Sequence, residues 1–212
     1  MVSDFNLTNI VVIFVSLVIS ITIHEAMHAF TSHWLGDDTA HLEGRVSLNP
    51  LRHIDPFTTL LLPLITLILF KVPLLAAKPV PFNPNRVKYG EFGAALVGLA
   101  GPFTNLFLAV IGAGVSYVLF ANGVRGLAIG SLLIFVQINI GLFVFNMIPI
   151  PPLDGSRLFY ALVPESVQEA MAAMERYGVM IIFALVLAVP AFGDLLVSLS
   201  NFVSQAIFSI FS

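Results

Sequence analysis

The chain has 212 residues, of which 58% are hydrophobic and only 10% are charged, with a net charge of −3. Soluble proteins carry about 25% charged residues, so nine basic and twelve acidic side chains cannot cover a soluble globule of this size. The composition therefore excludes a soluble enzyme, a disordered tail and a nucleic-acid-binding module, and it indicates a protein surrounded partly by lipid. The absence of cysteine also excludes disulfides and thiolate metal ligands.

The first apolar segment begins at Asn9 and keeps a helical pattern through Leu35. The residues before it contain no basic n-region and no small-residue cleavage site, so we expect a retained membrane helix rather than a signal peptide. Residues 40–48 follow, and they alternate apolar and polar side chains around Glu43-Gly44. This alternation predicts a short β-hairpin.

The next apolar segment, Pro56–Phe70, is short for a membrane span. As a helix it would measure about 22 Å, against about 30 Å of hydrocarbon, and Pro63 interrupts it. We therefore expect a re-entrant or interfacial segment at this position.

Two long uncharged segments, Phe92–Val124 and Gly126–Leu153, predict two further spans joined at Asn122-Gly123. The last segment, Tyr177–Ser212, carries only one charged residue but is interrupted by a proline and a glycine. It fits either one span with a surface helix or two short helices.

The sequence thus predicts an all-α polytopic membrane protein. This would be a bundle of about four to six transmembrane helices, with a β-hairpin and re-entrant region after the first, and residues 1–212 forming a single membrane-embedded domain.

The chemistry is indicated by His24-Glu25-Ala26-Met27-His28, which follows an apolar helical run. Positions i and i+4 share a helix face, so both imidazoles can bind one cation, while Glu25 is placed to take a proton from a water on that cation. Ionisable residues within a membrane helix are costly and therefore indicate function. The alternative is that these residues are simply the headgroup end of the helix.

A catalytic zinc ion needs three protein ligands and keeps one position open for water. Without cysteine, the third ligand must be His, Asp or Glu, and the best candidate is Asp154 in Asn146-Met-Ile-Pro-Ile-Pro-Pro-Leu-Asp154-Gly155. The prolines prevent a regular helix, and irregular backbone at membrane depth is tolerated only beside a protein cavity or water. The alternative is a plain turn that caps a membrane helix.

Together with Gly101-Pro-x-x-Asn105, these two motifs resemble the site-2 protease family of intramembrane zinc metalloproteases. The stretch from Gly44 to Pro56 further resembles the compact prokaryotic branch, which lacks PDZ and CBS domains. The resemblance implies one zinc ion held by His24, His28 and Asp154, with Glu25 as general base and later proton donor. It also implies that Asn146 supports the substrate or its developing oxyanion.

The resemblance further implies a zinc endopeptidase that cleaves transmembrane segments or remnant signal peptides in the prokaryotic plasma membrane. An extended substrate could add to the predicted hairpin or to the edge Pro149–Leu153. The role of Asn105 stays open between support of the site and a helix–helix hydrogen bond. His53 and Asp55 are expected to shape their loop.

The number of membrane crossings between the histidines and Asp154 gives a test of this prediction. If Pro56–Phe70 crosses the membrane, Asp154 and the histidines lie at opposite ends of the bundle, whereas a re-entrant segment places them at the same end. In the re-entrant arrangement, eight of the nine Lys and Arg residues share that end and only Arg125 lies at the other. The positive-inside rule then makes the site cytoplasmic.

Two alternative functions remain: a non-catalytic scaffold that binds membrane helices, and a metal transporter, although the repeats typical of transporters are absent.

Overall fold

The computed structural model describes residues 7–53 and 80–211, and within these ranges it consists of helices and turns without any β-strand. The N-terminal range contains α1 (Leu7–Trp34), α2 (Thr39–Leu42) and a 3₁₀ turn (Pro50–Arg52). The C-terminal range contains α3 (Glu91–Ala121), α4 (Leu127–Asn146), α5 (Gly155–Leu162), α6 (Glu165–Glu175), α7 (Gly178–Ala188) and α8 (Pro190–Phe208). The all-α prediction is thus confirmed for this part of the chain.

The β-hairpin predicted at residues 40–48 is wrong. The buried carboxylate of Asp37 accepts hydrogen bonds from the amide of Thr39 at 3.1 Å and from its hydroxyl at 2.5 Å, which starts the turn of α2. Gly44 ends this turn with φ +68°, a left-handed conformation that favours glycine. The apolar–polar alternation therefore comes from one helical turn and its cap. The predicted re-entrant segment Pro56–Phe70 lies outside the described residues.

Among residues 7–53 and 80–211, four helices are long and apolar enough to cross a membrane: α1, α3, α4 and α8. The bent pair α6 and α7, with 76° between its helices, raises this number to five if it counts as one broken span. The last apolar segment divides into two helices at Val189, because Pro190 starts α8 and cannot continue the backbone bonding of α7. The segment thus forms an 11-residue helix and a 19-residue helix, α8, that is long enough to span, so the alternative of two short helices does not describe it.

The packing of α1 against α3 determines where the site can form. The two helices run antiparallel, since Asn105 contacts Ser20, Val97 contacts His28, and the amide of Lys88 donates to the carbonyl of Leu35 at 2.9 Å. The end of α1 and the start of α3 therefore lie at the same end of the bundle. Because α3 and α4 are joined by a short turn at the other end, the loop after α4 returns to the end that holds the histidines.

The other end of the bundle is packed by apolar side chains. A buried cluster joins α3, α4 and α8, and it consists of Ala109, Ala113, Val136, Ile140, Val144 and Ile207. The side chain of Gln137 on α4 also donates to the hydroxyl of Ser204 on α8 at 3.1 Å. These contacts place α8 alongside the two central helices.

Candidate metal centre

The two histidines of the His-Glu-x-x-His motif lie in the C-terminal half of α1. Both imidazoles are buried, and their ring centroids are 4.6 Å apart with the rings nearly perpendicular. Glu25 is also buried, with 8% of its surface exposed. An amphipathic surface helix would not bury three ionisable residues within five positions, so this turn of α1 is built for an interior site.

Asp154 reaches the histidines because eight residues, 147–154, separate the end of α4 from the start of α5. Pro149, Pro151 and Pro152 lack amide hydrogens and cannot extend α4, so residues 147–153 form tight turns. Gly155 lies so close to the backbone of Met147 that any side chain there would clash. This compact loop carries Asp154 toward α1 at the first turn of α5.

The three side chains converge on a small volume. Asp154 Oδ2 lies 3.1 Å from His24 Nε2 and 3.4 Å from His28 Nε2, and the two Nε2 atoms are 3.0 Å apart. Ligands about 2.0–2.2 Å from a tetrahedral zinc ion are about 3.3–3.6 Å from one another. The observed separations are close to this range, so the two nitrogens and the oxygen could hold one metal ion.

The hydrogen bonds around the rings leave both Nε2 atoms available to a cation. His28 Nδ1 donates to the backbone carbonyl of Val97 at 2.6 Å, and His24 Nδ1 donates to Asn105 Oδ1 at 2.6 Å. Each neutral ring therefore presents the lone pair of Nε2 to the centre. Asp154 Oδ2 is buried there and accepts no hydrogen bond, although both nitrogens are near. Three electron-rich atoms at this spacing repel one another unless a metal ion or a proton lies among them.

Two glycines of α3 make room for this arrangement. A Cβ atom at Gly101 would lie 2.6 Å from His24 Nε2 and closer still to His28 Nε2. A Cβ at Gly98 would lie 2.9 Å from the Arg157 side chain and 3.0 Å from the Asp154 carbonyl. In the sequence, Gly101 stands out only as part of the Gly101-Pro-x-x-Asn105 motif. The contacts of the two glycines make them part of the wall of the site.

The remaining predicted residues have different surroundings. The amide nitrogen of Asn146 donates to Leu142 on its own helix at 3.0 Å, and none of its described hydrogen bonds reaches the three ligand candidates. Asn105 combines both of its predicted roles, because it bonds His24 and also Asn139 on a neighbouring helix. The ring of His53 bonds the carbonyl of Ser47, which fits the expected loop-shaping role.

Sequence reasoning missed the carbonyl of Val97, which orients His28, and it did not connect Asn139 with the histidines. A backbone carbonyl has no signature in the sequence. Asn139 is an uncommon polar residue in an apolar helix, which was the one available signal. With these contacts, the class of the protein is defined: a polytopic membrane protein with a buried His–His–carboxylate centre between its helices.

Comparison with known proteins narrows this class. A profile of Peptidase family M50 matches residues 121–189. "Putative zinc metalloprotease YwhC" of Bacillus subtilis is 36% identical over 208 residues, which cover 93% of this chain and 90% of that protein. "Putative zinc metalloprotease Rip2" of Mycolicibacterium smegmatis is 28% identical over 180 residues, covering 79% of this chain and 63% of that protein. Rip2 of Mycobacterium tuberculosis is 26% identical over 178 residues, covering 84% and 67%.

The chain therefore belongs to Peptidase family M50, the site-2 protease family, and it is a metalloprotease of that family. The resemblance read from the motifs is confirmed. The matched profile contains Asp154 but not the histidines, whereas the similarity to YwhC extends over nearly the whole chain. No solved structure matches the chain.

Proposed function

We propose that the protein is an intramembrane zinc endopeptidase, with residues 1–212 acting as one membrane-embedded unit. His24, His28 and Asp154 would hold the zinc ion, and the partly exposed Asp154 would lie on the side open to water and substrate. The observation that carries the proposal is the convergence of three buried lone-pair atoms on one point among helices long enough to span a membrane.

Bound zinc supplies a Lewis acid that polarises a peptide carbonyl and acidifies water. Glu25 then accepts a proton from the attacking water and returns it to the amide nitrogen that leaves, so that hydroxide adds to the carbonyl carbon and the C–N bond breaks. One amide hydrogen of Asn146 is used by Leu142, and the other remains for the oxygen that gains negative charge.

The substrate class follows from the depth of the site. A peptide bond inside an intact transmembrane helix is shielded by its own hydrogen bonds, so cleavage requires an extended segment. Because the predicted hairpin is absent from residues 40–48, the edge Pro149–Leu153 is the proposed place for this segment. The substrates would be single-pass membrane proteins or remnant signal peptides.

The test compares the wild type with Glu25→Gln on a single-pass membrane substrate in detergent or vesicles. Removing the proton acceptor should lower kcat/KM by about 10²–10⁴-fold, while zinc content stays unchanged because all three proposed ligands remain. Glu91→Gln, at the exposed start of α3, is the matched control and should cleave normally. Normal cleavage by Glu25→Gln would contradict the mechanism.

The same preparation distinguishes the two alternative functions. A wild type that binds zinc but cleaves no membrane substrate would favour the non-catalytic scaffold. Zinc movement into sealed vesicles that depends on His24 would favour the transporter. Neither result is expected from an endopeptidase.

We also propose that the site faces the cytoplasm of a bacterial plasma membrane. Among the described residues, the basic side chains at the site end are Arg45, Arg52, Arg86, Lys88, Arg157 and Arg176. Only Arg125 lies at the turn between α3 and α4, and this asymmetry agrees with the positive-inside rule.

The absence of native cysteine makes this orientation directly testable. A single cysteine at Glu169 on α6 should be labelled only after a membrane-impermeant thiol reagent enters the cytoplasm. A cysteine at Asn122, in the turn at the other end, should be labelled from outside the cell. The reverse pattern would overturn the proposed orientation.

A further inference from the structure

A chain of polar side chains runs through the membrane interior and ends on the proposed ligand His24. Asn139 on α4 donates to the hydroxyl of Ser20 at 2.8 Å, Asn105 on α3 donates to Asn139 Oδ1 at 2.9 Å, and His24 bonds Asn105 Oδ1 at 2.6 Å. Ser20, Asn105 and Asn139 are completely buried. Such groups are expensive to bury in an apolar bundle, so the network is expected to have a specific role.

The donors and acceptors of this network can be arranged in only one way. Asn139 Nδ2 also donates to the backbone carbonyl of Phe135 at 2.9 Å, and a carbonyl can only accept. The nitrogen of this amide must therefore face Phe135 and Ser20, which turns its oxygen toward Asn105. Reversing the amide would place its oxygen against the Phe135 carbonyl, leaving two buried acceptors in contact.

The orientation of Asn139 in turn determines the orientation of the Asn105 amide. Asn105 uses both hydrogens of Nδ2, one on Asn139 Oδ1 and one on the Ser20 backbone carbonyl at 3.4 Å. Its oxygen is consequently the atom that faces His24, and a bond of 2.6 Å between them requires the ring hydrogen on Nδ1. The lone pair of His24 is thereby assigned to Nε2, the atom that faces His28 and Asp154.

We propose that Asn139 is a positioning residue that acts through Asn105 to select the ring nitrogen with which His24 binds the metal. This inference rests on the proposed zinc site. Outer hydrogen-bond partners of metal-binding histidines generally set ring orientation and basicity. Here the determining group is two side chains away from the ligand and on a different helix.

The second histidine provides an internal contrast. His28 donates Nδ1–H to the Val97 carbonyl, which cannot act as a donor, so this ring needs no further partner to select its nitrogen. The amide of Asn105 can rotate by half a turn, and it then offers a hydrogen instead of an oxygen. Only His24 therefore depends on the polar chain, and the loss of Asn139 should affect only His24.

The experiment measures zinc affinity by competition with a chromophoric chelator, using purified full-length protein. Asn139→Leu leaves the Asn105 amide held only by its 3.4 Å bond to the Ser20 backbone carbonyl, the longer of its two bonds, so the reversed amide becomes more populated. Asn105→Leu removes the acceptor of His24 altogether. Both substitutions should weaken zinc binding, Asn105→Leu by about 10–100-fold and Asn139→Leu by about tenfold. Neither residue is a proposed ligand, so proteolysis is not needed as the readout.

Ser20→Ala separates orientation from general packing of the network. It removes one buried hydrogen bond from the same cluster, but the Phe135 carbonyl and the Ser20 backbone carbonyl still hold both amides in place. Zinc affinity should remain within about twofold of the wild type. Equal losses in Ser20→Ala and Asn139→Leu would show that only packing is involved and would overturn the proposal.

A measurement on the wild type avoids the possibility that a substituted protein does not fold. Histidines labelled with ¹⁵N in the zinc-loaded protein should give two metal-bound rings, both with the hydrogen on Nδ1 and zinc on Nε2. Zinc on Nδ1 of His24 would overturn the proposed positioning role even if zinc is bound and the enzyme is active. A wild type that binds no zinc would instead contradict the proposed function itself.

Discussion

The two halves of α3 are both lined with small residues, but they serve different purposes. The N-terminal half packs against α1 and the start of α5, and its buried positions include Gly98, Gly101 and Asn105 beside the proposed metal ligands. The C-terminal half packs against α4 and α8, where Gly112 and Ala113 adjoin the apolar cluster. The same helix thus joins a polar centre to an apolar one.

The comparison teaches what a small residue does in each environment. In membranes, small residues let helices approach closely so that van der Waals contacts can hold them together. At Gly112 the nearest atoms are apolar carbons of the Val136 and Phe135 side chains, and neither residue is a ligand candidate. At Gly101 the nearest atoms belong to two imidazoles held by hydrogen bonds at their other nitrogens. The first glycine allows packing, whereas the second determines whether the site can form.

The largest effect is therefore expected from Gly101→Ala. The added methyl group would lie 2.6 Å from His24 Nε2 and would displace both rings from the position where they meet Asp154. Zinc affinity should fall by about 10–100-fold, as it does when ligating histidines lose their orientation. Chelator competition and kcat/KM on a membrane substrate measure the loss, while circular dichroism should show an intact helical fold.

Gly112→Ala is the matched control in the other half of the same helix. Its methyl group would lie 2.9 Å from Val136 Cγ2, so a side chain must move, but no ligand candidate is involved. Zinc affinity should stay within about twofold of the wild type, with a destabilisation of about 1–3 kcal/mol at most. If Gly112→Ala weakened zinc binding as much as Gly101→Ala, the distinction between the two halves would be wrong.

A smaller effect is expected from Ile207→Val, which removes one buried methylene group where α8 packs on the apolar cluster. The free energy of unfolding should fall by about 0.5–1.5 kcal/mol, because the packing contacts of that group are lost. Zinc affinity should not change, since Ile207 lies on a helix that contributes no ligand. Reversible denaturant unfolding in detergent and chelator titration of the same sample measure the two quantities. A tenfold loss of zinc affinity would show that the halves are coupled.

The parts of the site that were predictable follow from local spacing. His24 and His28 share a helix face by their separation alone, and the prolines after Asn146 predict irregular backbone before Asp154. The hairpin prediction failed because residues 40–48 alternate like a strand while Asp37 nucleates a helical turn beside them. Over so short a stretch, the hydrogen bonds of one carboxylate to the backbone and side chain of Thr39 outweigh the pattern of side-chain polarity.

The sequence by itself determined that the chain is a helical membrane protein, because its charge content is too low for a soluble surface and its apolar runs are of spanning length. It also determined the residue types available for a metal, since a His-Glu-x-x-His turn and the Asp-Gly after three prolines are local patterns. Only the tertiary structure decided that these residues meet. Their convergence depends on the antiparallel packing of α1 on α3 and on Gly101. It also depends on the hydrogen bonds that the histidines donate to Val97 and Asn105, which are more than 60 positions away in the chain.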